Sequence, residues 1–239
     1  MSVMRRMFSR FFFEHAHLLF PSQTQSTQDG TGVVTLVCHQ HLTMFIFSLS
    51  SFFYFTQRSY PIYAIDDGSL TTADKQKLHR LFDITIVSKE RSVARVKKVI
   101  SQKKYPDLYA YRFEQPDAFS KVKFDALFCC PFSRIICLDS DVLFFAPPAR
   151  LLKWLDRKEQ KVLYNYHNWQ KVDDAQLPDM EHAFRELLKR YLKKKFTFIS
   201  TFNAGLFCLP NKQVLNLTKI NELFKLFNAL SYSRYSIVD

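Results

Sequence analysis

Apolar and polar positions fall into blocks whose period switches along the chain. Val33-Val34-Thr35-Leu36-Val37-Cys38 is an apolar, β-branched run of strand length. The apolar stretch Leu42 to Phe55 follows and reads as a helix. Tyr60 to Ile65 forms a second strand-like run, closed by Asp66-Asp67-Gly68-Ser69. Ser69 or Thr71 can cap a helix that runs through Leu81, and Phe82 to Val87 is a third strand-like run. This β-α-β-α-β alternation predicts an α/β fold with a mainly parallel sheet.

The alternation continues less regularly. Ser92 to Lys104 predicts a basic amphipathic helix, with Val93, Val96 and Ile100 opposite Arg95, Lys97 and Lys98, ended by Pro106. A helix over Ser120 to Cys129 precedes the short apolar strand Arg134 to Leu138, which stops at Asp139-Ser140-Asp141. Val142 to Phe145 resumes apolar character, and Pro147 and Pro148 break the chain before a helix around Leu151 to Leu155. Glu181 to Lys195 places Phe184, Leu187, Leu188 and Leu192 at helical spacing among lysines. The apolar stretch Phe198 to Leu209 encloses Phe202-Asn203-Ala204-Gly205.

The polar Ser22 to Gly32 segment divides residues 1–29, an extension and linker, from a domain over 30–239. Met1 to Phe13 mixes arginines with phenylalanines and makes a poor signal peptide. The Leu42 to Phe55 run is shorter than the roughly 20 apolar residues that span a bilayer. A buried helix is the expectation, with membrane association as the alternative.

Composition narrows the class. Of 239 residues 47% are hydrophobic and 23% charged, which predicts a globular chain. Only 4 are Gly, and neither G-x-x-x-x-G-K nor G-x-G-x-x-G occurs, which argues against a P-loop NTPase or a Rossmann dehydrogenase. The net charge of +12 favours anionic partners: phosphate-bearing ligands, a membrane surface or nucleic acid. No RNP, zinc-finger or helix-turn-helix signature accompanies it, so nucleic acid is not expected, while peripheral membrane contact stays open. The 5 cysteines form no C-x-x-C and predict buried, reduced thiols and a cytoplasmic location.

Candidate chemistry gathers at strand ends. Asp139 and Asp141 follow a buried strand, where open α/β sheets bind ligands. Carboxylates one residue apart repel unless a cation lies near them, and Mn²⁺ or Mg²⁺ suits such oxygens together with phosphate. The alternative is a solvent-facing acidic turn. Asp66 and Asp67 can accept hydrogen bonds from a ribose or a base N–H, or can simply belong to a strand-to-helix turn in which Gly68 supplies a positive φ. Lys121 and Lys123 are point charges for a phosphate or ordinary surface lysines. Asn203 and Gly205 suggest either a sugar contact or a β-bulge. Asn165, His167 and Asn168 lie among aromatics, as in carbohydrate contact surfaces and in many loops.

Three segments resemble glycosyltransferases of the GT-A type, nearest in pattern to the glycogenin-like family eight. Lys123-Phe124-Asp125-Ala126-Leu127 through Arg134-Ile135-Ile136-Cys137-Leu138-Asp139-Ser140-Asp141 resembles that family's lysine, amphipathic helix and D-x-D block. Phe202-Asn203-Ala204-Gly205 is similar to its F-N-S/A-G, and Pro61 to Thr71 to the second strand of many such transferases. The resemblance implies a three-layer α/β/α sandwich and transfer of a sugar from a nucleotide-diphospho-sugar, UDP-linked by preference, to an unknown acceptor. By it, Asp139 and Asp141 bind Mn²⁺ or Mg²⁺, and Lys123 meets the nucleotide-sugar. Asp66, Asp67 and Ser140 join the donor site, and Asn203 and Gly205 line the sugar; the resemblance names no catalytic nucleophile. The family continues into a C-terminal H-x-x-G-x-x-K-P-W that this sequence does not contain. The accompanying expectation is a domain incomplete at its C-terminus, with a non-catalytic binding protein as the alternative function.

Overall fold

The structure is a computed structural model, which describes residues 30–114, 119–166 and 202–229. The extension over 1–29, the lysine-rich segment over 181–195, and His167 and Asn168 lie outside the described residues.

Among the described residues six strands form one sheet. They are β1 (Thr31–Val37), β2 (Ile62–Asp66), β3 (Ile84–Ser88), β4 (Arg134–Leu138), β5 (Leu163–Tyr166) and β6 (Phe202–Leu209), in the order β3-β2-β1-β4-β6-β5. The pairs β1/β2, β2/β3 and β1/β4 are parallel, whereas β6 runs antiparallel to both β4 and β5. The fold is α/β with a mostly parallel sheet, as the alternation predicted.

Helices cover both faces, and strand alternation explains why both must be apolar. Val33, Ile62, Ala64, Ile136, Leu138 and Cys208 point into one layer with Phe45, Leu49 and Phe52 of α1 (Leu42–Thr56) and Leu78 of α2 (Thr72–Leu81). Their neighbours Val34, Tyr63, Ile65, Ile135, Cys137 and Phe207 point into the opposite layer. There they meet Val122, Ala126 and Leu127 of the helix over Phe119–Cys129. Helix α1 is therefore a core element, and among the described residues no helix is long and apolar enough to cross a membrane.

The third helix corrects the sequence reading. Helix α3 spans Lys89–Val99 rather than Ser92 to Lys104. The Ser88 hydroxyl, at the end of β3, accepts the Arg91 N–H and starts the helix early. A turn follows in which Tyr105 N donates to Ser101 O (2.9 Å). Pro106 opens the short helix α4 (Pro106–Tyr109) instead of closing α3, because proline suits the first helical turn. Arg95 does not share the solvent face of Lys97 and Lys98: its guanidinium donates to the Tyr63 hydroxyl at 2.9 Å. Burial pushes the Tyr63 phenol up, and Arg95 partly offsets this. A π-helical turn (Ala110–Glu114) leads on towards the helix Phe119–Cys129, here α5.

Buried Arg134, at the start of β4, fastens helix α6 (Ala149–Asp156) beneath the sheet. It donates to Trp154 O (2.7 Å) and Leu155 O (3.3 Å), which are last-turn carbonyls, and its guanidinium lies 3.7 Å from the Trp154 ring centroid. The last described helix, α7 (Leu217–Ala229), joins α3 and α4 in a satellite core around Val96, Ile100 and Leu108.

Candidate functional site

The strand order reverses direction at β1. From β1 the chain builds outward to β2 and β3, then crosses to β4 on the other side. The parallel register puts Val37, Asp66 and Ser88 side by side at one sheet edge, with Leu138 at the carboxyl end of β4. A reversal of this kind opens a crevice outside the carboxyl ends of the strands. Asp139-Ser140-Asp141 continues β4 into it.

Asp139 is held through its backbone from two sides. Its N–H donates to Gly205 O at 2.8 Å, from β6. Its carbonyl accepts the Ser48 hydroxyl at 3.1 Å, from α1. One turn on, Ser51 accepts the Phe144 N–H at 3.1 Å. Ser48 and Ser51 are thus the buried polar groups that attach the acidic segment to the core helix. Sequence reasoning passed over them, although hydroxyls inside an apolar helix must find partners and so carried the signal.

The Asp139 carboxylate pairs with the Lys123 ammonium; the two side chains are 31% and 17% exposed. Ser140 is half-buried and Asp141 exposed. Lys123 is delivered by α5, whose Asp125 is fully buried and accepts both Nε (2.8 Å) and Nη2 (2.6 Å) of buried Arg112. A bidentate ion pair of this geometry fixes the helix from the far side. Lys121, two residues earlier, is buried with its ammonium 4.7 Å from the Tyr111 ring centroid.

The β2 end divides the two acidic residues singled out there. Asp66 is buried: Oδ1 accepts the Gly68 and Leu70 N–H groups, and Oδ2 meets Lys75 at 2.8 Å. Asp67 is exposed and accepts both the N–H and the hydroxyl of Ser69. Gly68, with φ +103°, makes the turn possible. The helix cap falls on Thr71, in a capping box with Asp74. Asp74 also receives His39 Nδ1 at 2.7 Å. Burial pushes the Asp74 carboxyl up, but hydrogen bonds from His39 and Thr71 outweigh it and hold the group below its ordinary range.

Asn203 and Gly205 sit on β6, which faces β4 through Leu206 opposite Leu138. The β5/β6 register shifts between Tyr164, opposite Phe207, and Asn165, opposite Asn203. The irregular stretch of β6 is Ala204 to Leu206, which surrounds the embedded glycine. Beside it lies an open cleft of about 330 Å³ between the first turn of α6 and β5, lined by Arg150, Tyr164, Asn165 and Leu206 among others. All five cysteines are free; Cys130, Cys137 and Cys208 are buried, Cys38 and Cys129 half-buried.

Among the described residues no group of three or more His, Cys, Asp or Glu gathers as a metal cluster. Asp139 and Asp141 are the two carboxylates offered just past β4, and a hard divalent ion takes one or two carboxylates and completes its shell with water and phosphate oxygens.

No protein-family model matches the chain, and no curated protein matches it. Solved structures do. The apo form of mouse xyloside xylosyltransferase 1 is 13% identical, with a TM-score of 0.41 over 82% of this chain and 70% of that one. Core-mannan synthase A of Aspergillus fumigatus, in its Mn/GDP form, is 12% identical, with a TM-score of 0.49 over 88% and 67%. Glucosyl-3-phosphoglycerate synthase of Mycobacterium tuberculosis, in complex with Mn²⁺, UDP and glucosyl-3-phosphoglycerate, is 14% identical, with a TM-score of 0.42. That match covers 77% of this chain, which spans 57% of the synthase's length.

Proposed function

We propose that the chain binds a nucleotide-diphospho-sugar, UDP-linked, and transfers its sugar to an acceptor with the help of Mn²⁺ or Mg²⁺. The observation that carries this reading is the placement of Asp139 and Asp141 at the strand-order reversal, with Lys123 brought onto Asp139 from a separate helix.

In this reading Asp139 and Asp141 hold the metal and Ser140 lies against the donor. When bound, the ion neutralises charge on the departing diphosphate. Lys123 exchanges part of its contact with Asp139 for the diphosphate oxygens, as a point charge on a flexible stem. Asn203 and Gly205 present the irregular part of β6 to the sugar, while Asp66 shapes the β2 turn and Asp67 offers an acceptor at its surface. The Ser48 bond to Asp139 keeps the carboxylate placed before ligand arrives, which limits reorganisation during transfer.

The test is calorimetric titration of the full chain with UDP, with and without Mn²⁺. Metal-dependent UDP binding is expected to weaken by about tenfold or more in both Asp139→Ala and Asp141→Ala. Unchanged affinity in the two variants sinks the metal assignment. Release of free sugar from a UDP-sugar, followed in the same preparations, separates turnover from binding alone.

A further inference from the structure

Asp139-Ser140-Asp141 runs into Val142 to Phe145, an apolar stretch that the fold only half absorbs. Val142 and Phe144 pack against the core that α1 helps to form, and Ser51 holds the Phe144 N–H. Leu143 and Phe145 alternate with them and face outward, 40% and 83% exposed. Pro147 and Pro148 follow and stiffen the segment. A solitary exposed leucine is ordinary on a protein surface. Here a phenylalanine almost wholly in water stands two residues from an exposed leucine, on a segment anchored from the core.

Helix α6 sets cations beside this pair. Arg150, Lys153 and Arg157 recur at intervals of three and four residues, so they line one side of the helix, and all three are exposed. The buried residues of α6, Leu151, Trp154 and Leu155, enter the same core as Val142 and Phe144. The loop and the helix therefore cover the same face of the sheet, and what each leaves exposed points away from that one core. Arg150 is five residues beyond Phe145, at most about 18 Å along the chain. Lys158 and Lys161, both exposed, extend the basic run, and Glu159 between them is half-buried. Asp156, the exposed carboxylate of the helix, is already paired with Arg58. Among the described residues no ion pair engages Arg150, Lys153 or Arg157.

An apolar tip beside a row of cations has a definite complement. Anionic headgroups answer the cations, and the boundary with the acyl chains takes up the apolar side chains. These two signals together hold a peripheral protein to a bilayer that it does not cross. The net charge of +12 acts in the same direction. A protein partner fits less well: a stable interface covers about 800 Å² on each side and keeps charge away from its centre. Here two apolar side chains border directly on the basic side of α6.

We propose that Leu143, Phe145 and the basic side of α6 form a docking surface for an anionic phospholipid bilayer. The two apolar side chains enter the headgroup boundary, and Arg150, Lys153 and Arg157 rest on lipid phosphates. The element that meets lipid is the loop after β4 and not α1, most of whose apolar residues turn into the core. Asp141 lies two residues before Leu143, within about 7 Å along the chain, so docking sets the acidic edge next to the membrane plane. The proposal stands apart from the nucleotide-sugar reading, since it uses no ligand of that site.

The experiment is flotation of the full chain with phosphatidylcholine vesicles, with and without roughly one-third phosphatidylserine, at about 0.1 M salt. Wild type is expected to float with the anionic vesicles and to bind neutral ones about tenfold less or weaker still. Leu143→Ser combined with Phe145→Ser should weaken binding to anionic vesicles by about tenfold or more. Arg150→Gln, Lys153→Gln and Arg157→Gln together should weaken it as far and flatten its salt dependence. Every side chain replaced is exposed, so the thermal midpoints should stay near that of wild type. In Phe145→Trp, lipids with brominated acyl chains should quench the added indole, a readout that adsorption through another basic surface does not move. Failure of wild type to float, unchanged binding in the Leu143/Phe145 double variant, or an added indole that stays unquenched overturns the proposal. So does a concentration-dependent dimer, seen by sedimentation, that the same double variant abolishes, because the patch then belongs to a second copy of the chain. Metal-dependent UDP binding can hold or fail beside any of these outcomes, so the two readings are tested separately.

Discussion

Asp139 and Asp125 show how differently two carboxylates behave once folded. Asp139 is partly exposed, pairs with Lys123, and has its backbone fastened by Ser48 and Gly205. Asp125 is sealed from water against Arg112, so it belongs to the support of the site. Truncating Asp125 to Ala takes the paired carboxylate from a buried guanidinium, and breaking a buried pair of this kind costs about 3–5 kcal/mol. Urea unfolding of Asp125→Ala should show a loss of that size, with the midpoint moved to lower denaturant. A change below about 1 kcal/mol, the level of an exposed pair, would mean that water reaches Arg112. The D-x-D spacing was legible from residues alone. The Lys123 partner was legible only as a candidate, because 15 residues separate it from Asp139 along the chain and only the packing of α5 closes that gap.

At the scale of elements, the strands were read with small errors and the helix ends with larger ones. β4 runs over Arg134–Leu138, as its apolar pattern predicts. α3 starts at Lys89 because Ser88 serves both as the last residue of β3 and as a cap, a double use that periodicity does not reveal. The β2–α2 turn depends on one backbone conformation. Gly68 has φ +103°, and a Cβ there meets no atom within 4 Å, so the penalty for alanine is conformational rather than steric. Gly68→Ala is expected to lower stability by about 1 kcal/mol or more. A thermal melt checks it; an unchanged or raised midpoint would show that the turn does not need the left-handed region. The same variant should disturb Asp66 and Ser69, whose bonds close this turn.

For the whole molecule, the two apolar faces of the sheet decide which groups meet solvent. Cys137 and Cys208 lie in the two cores, and burial pushes both thiols up, Cys137 to about 12. Cys129 is likewise pushed up to about 11 by burial. With pKa values raised in the folded state, these thiols stay protonated at neutral pH and do not supply the reactive thiolate. Titration with a disulfide reagent at pH 8 should therefore leave Cys137 and Cys208 unmodified in native protein, whereas all 5 cysteines react in denaturant. Rapid native labelling of either residue, located by peptide mapping, would contradict a closed sheet core.

The sequence by itself determined the α/β class, because alternation of apolar strands with helical runs is a local signal set by backbone periodicity. It also marked Asp139, Asp141 and the Asn203 to Gly205 stretch as unusual, since polar residues inside apolar runs need a reason. Tertiary structure decided the rest. Strand order alone puts β1 and β4 side by side at the reversal, because no local pattern encodes which strands pair. Side-chain competition then sorted the acidic residues: Asp66 and Asp125 were drawn into internal bonds, while Asp139 and Asp141 stayed at the open edge. The His39–Asp74 pair joins residues 35 apart and acquires its direction only when two loops close over the same edge of the sheet.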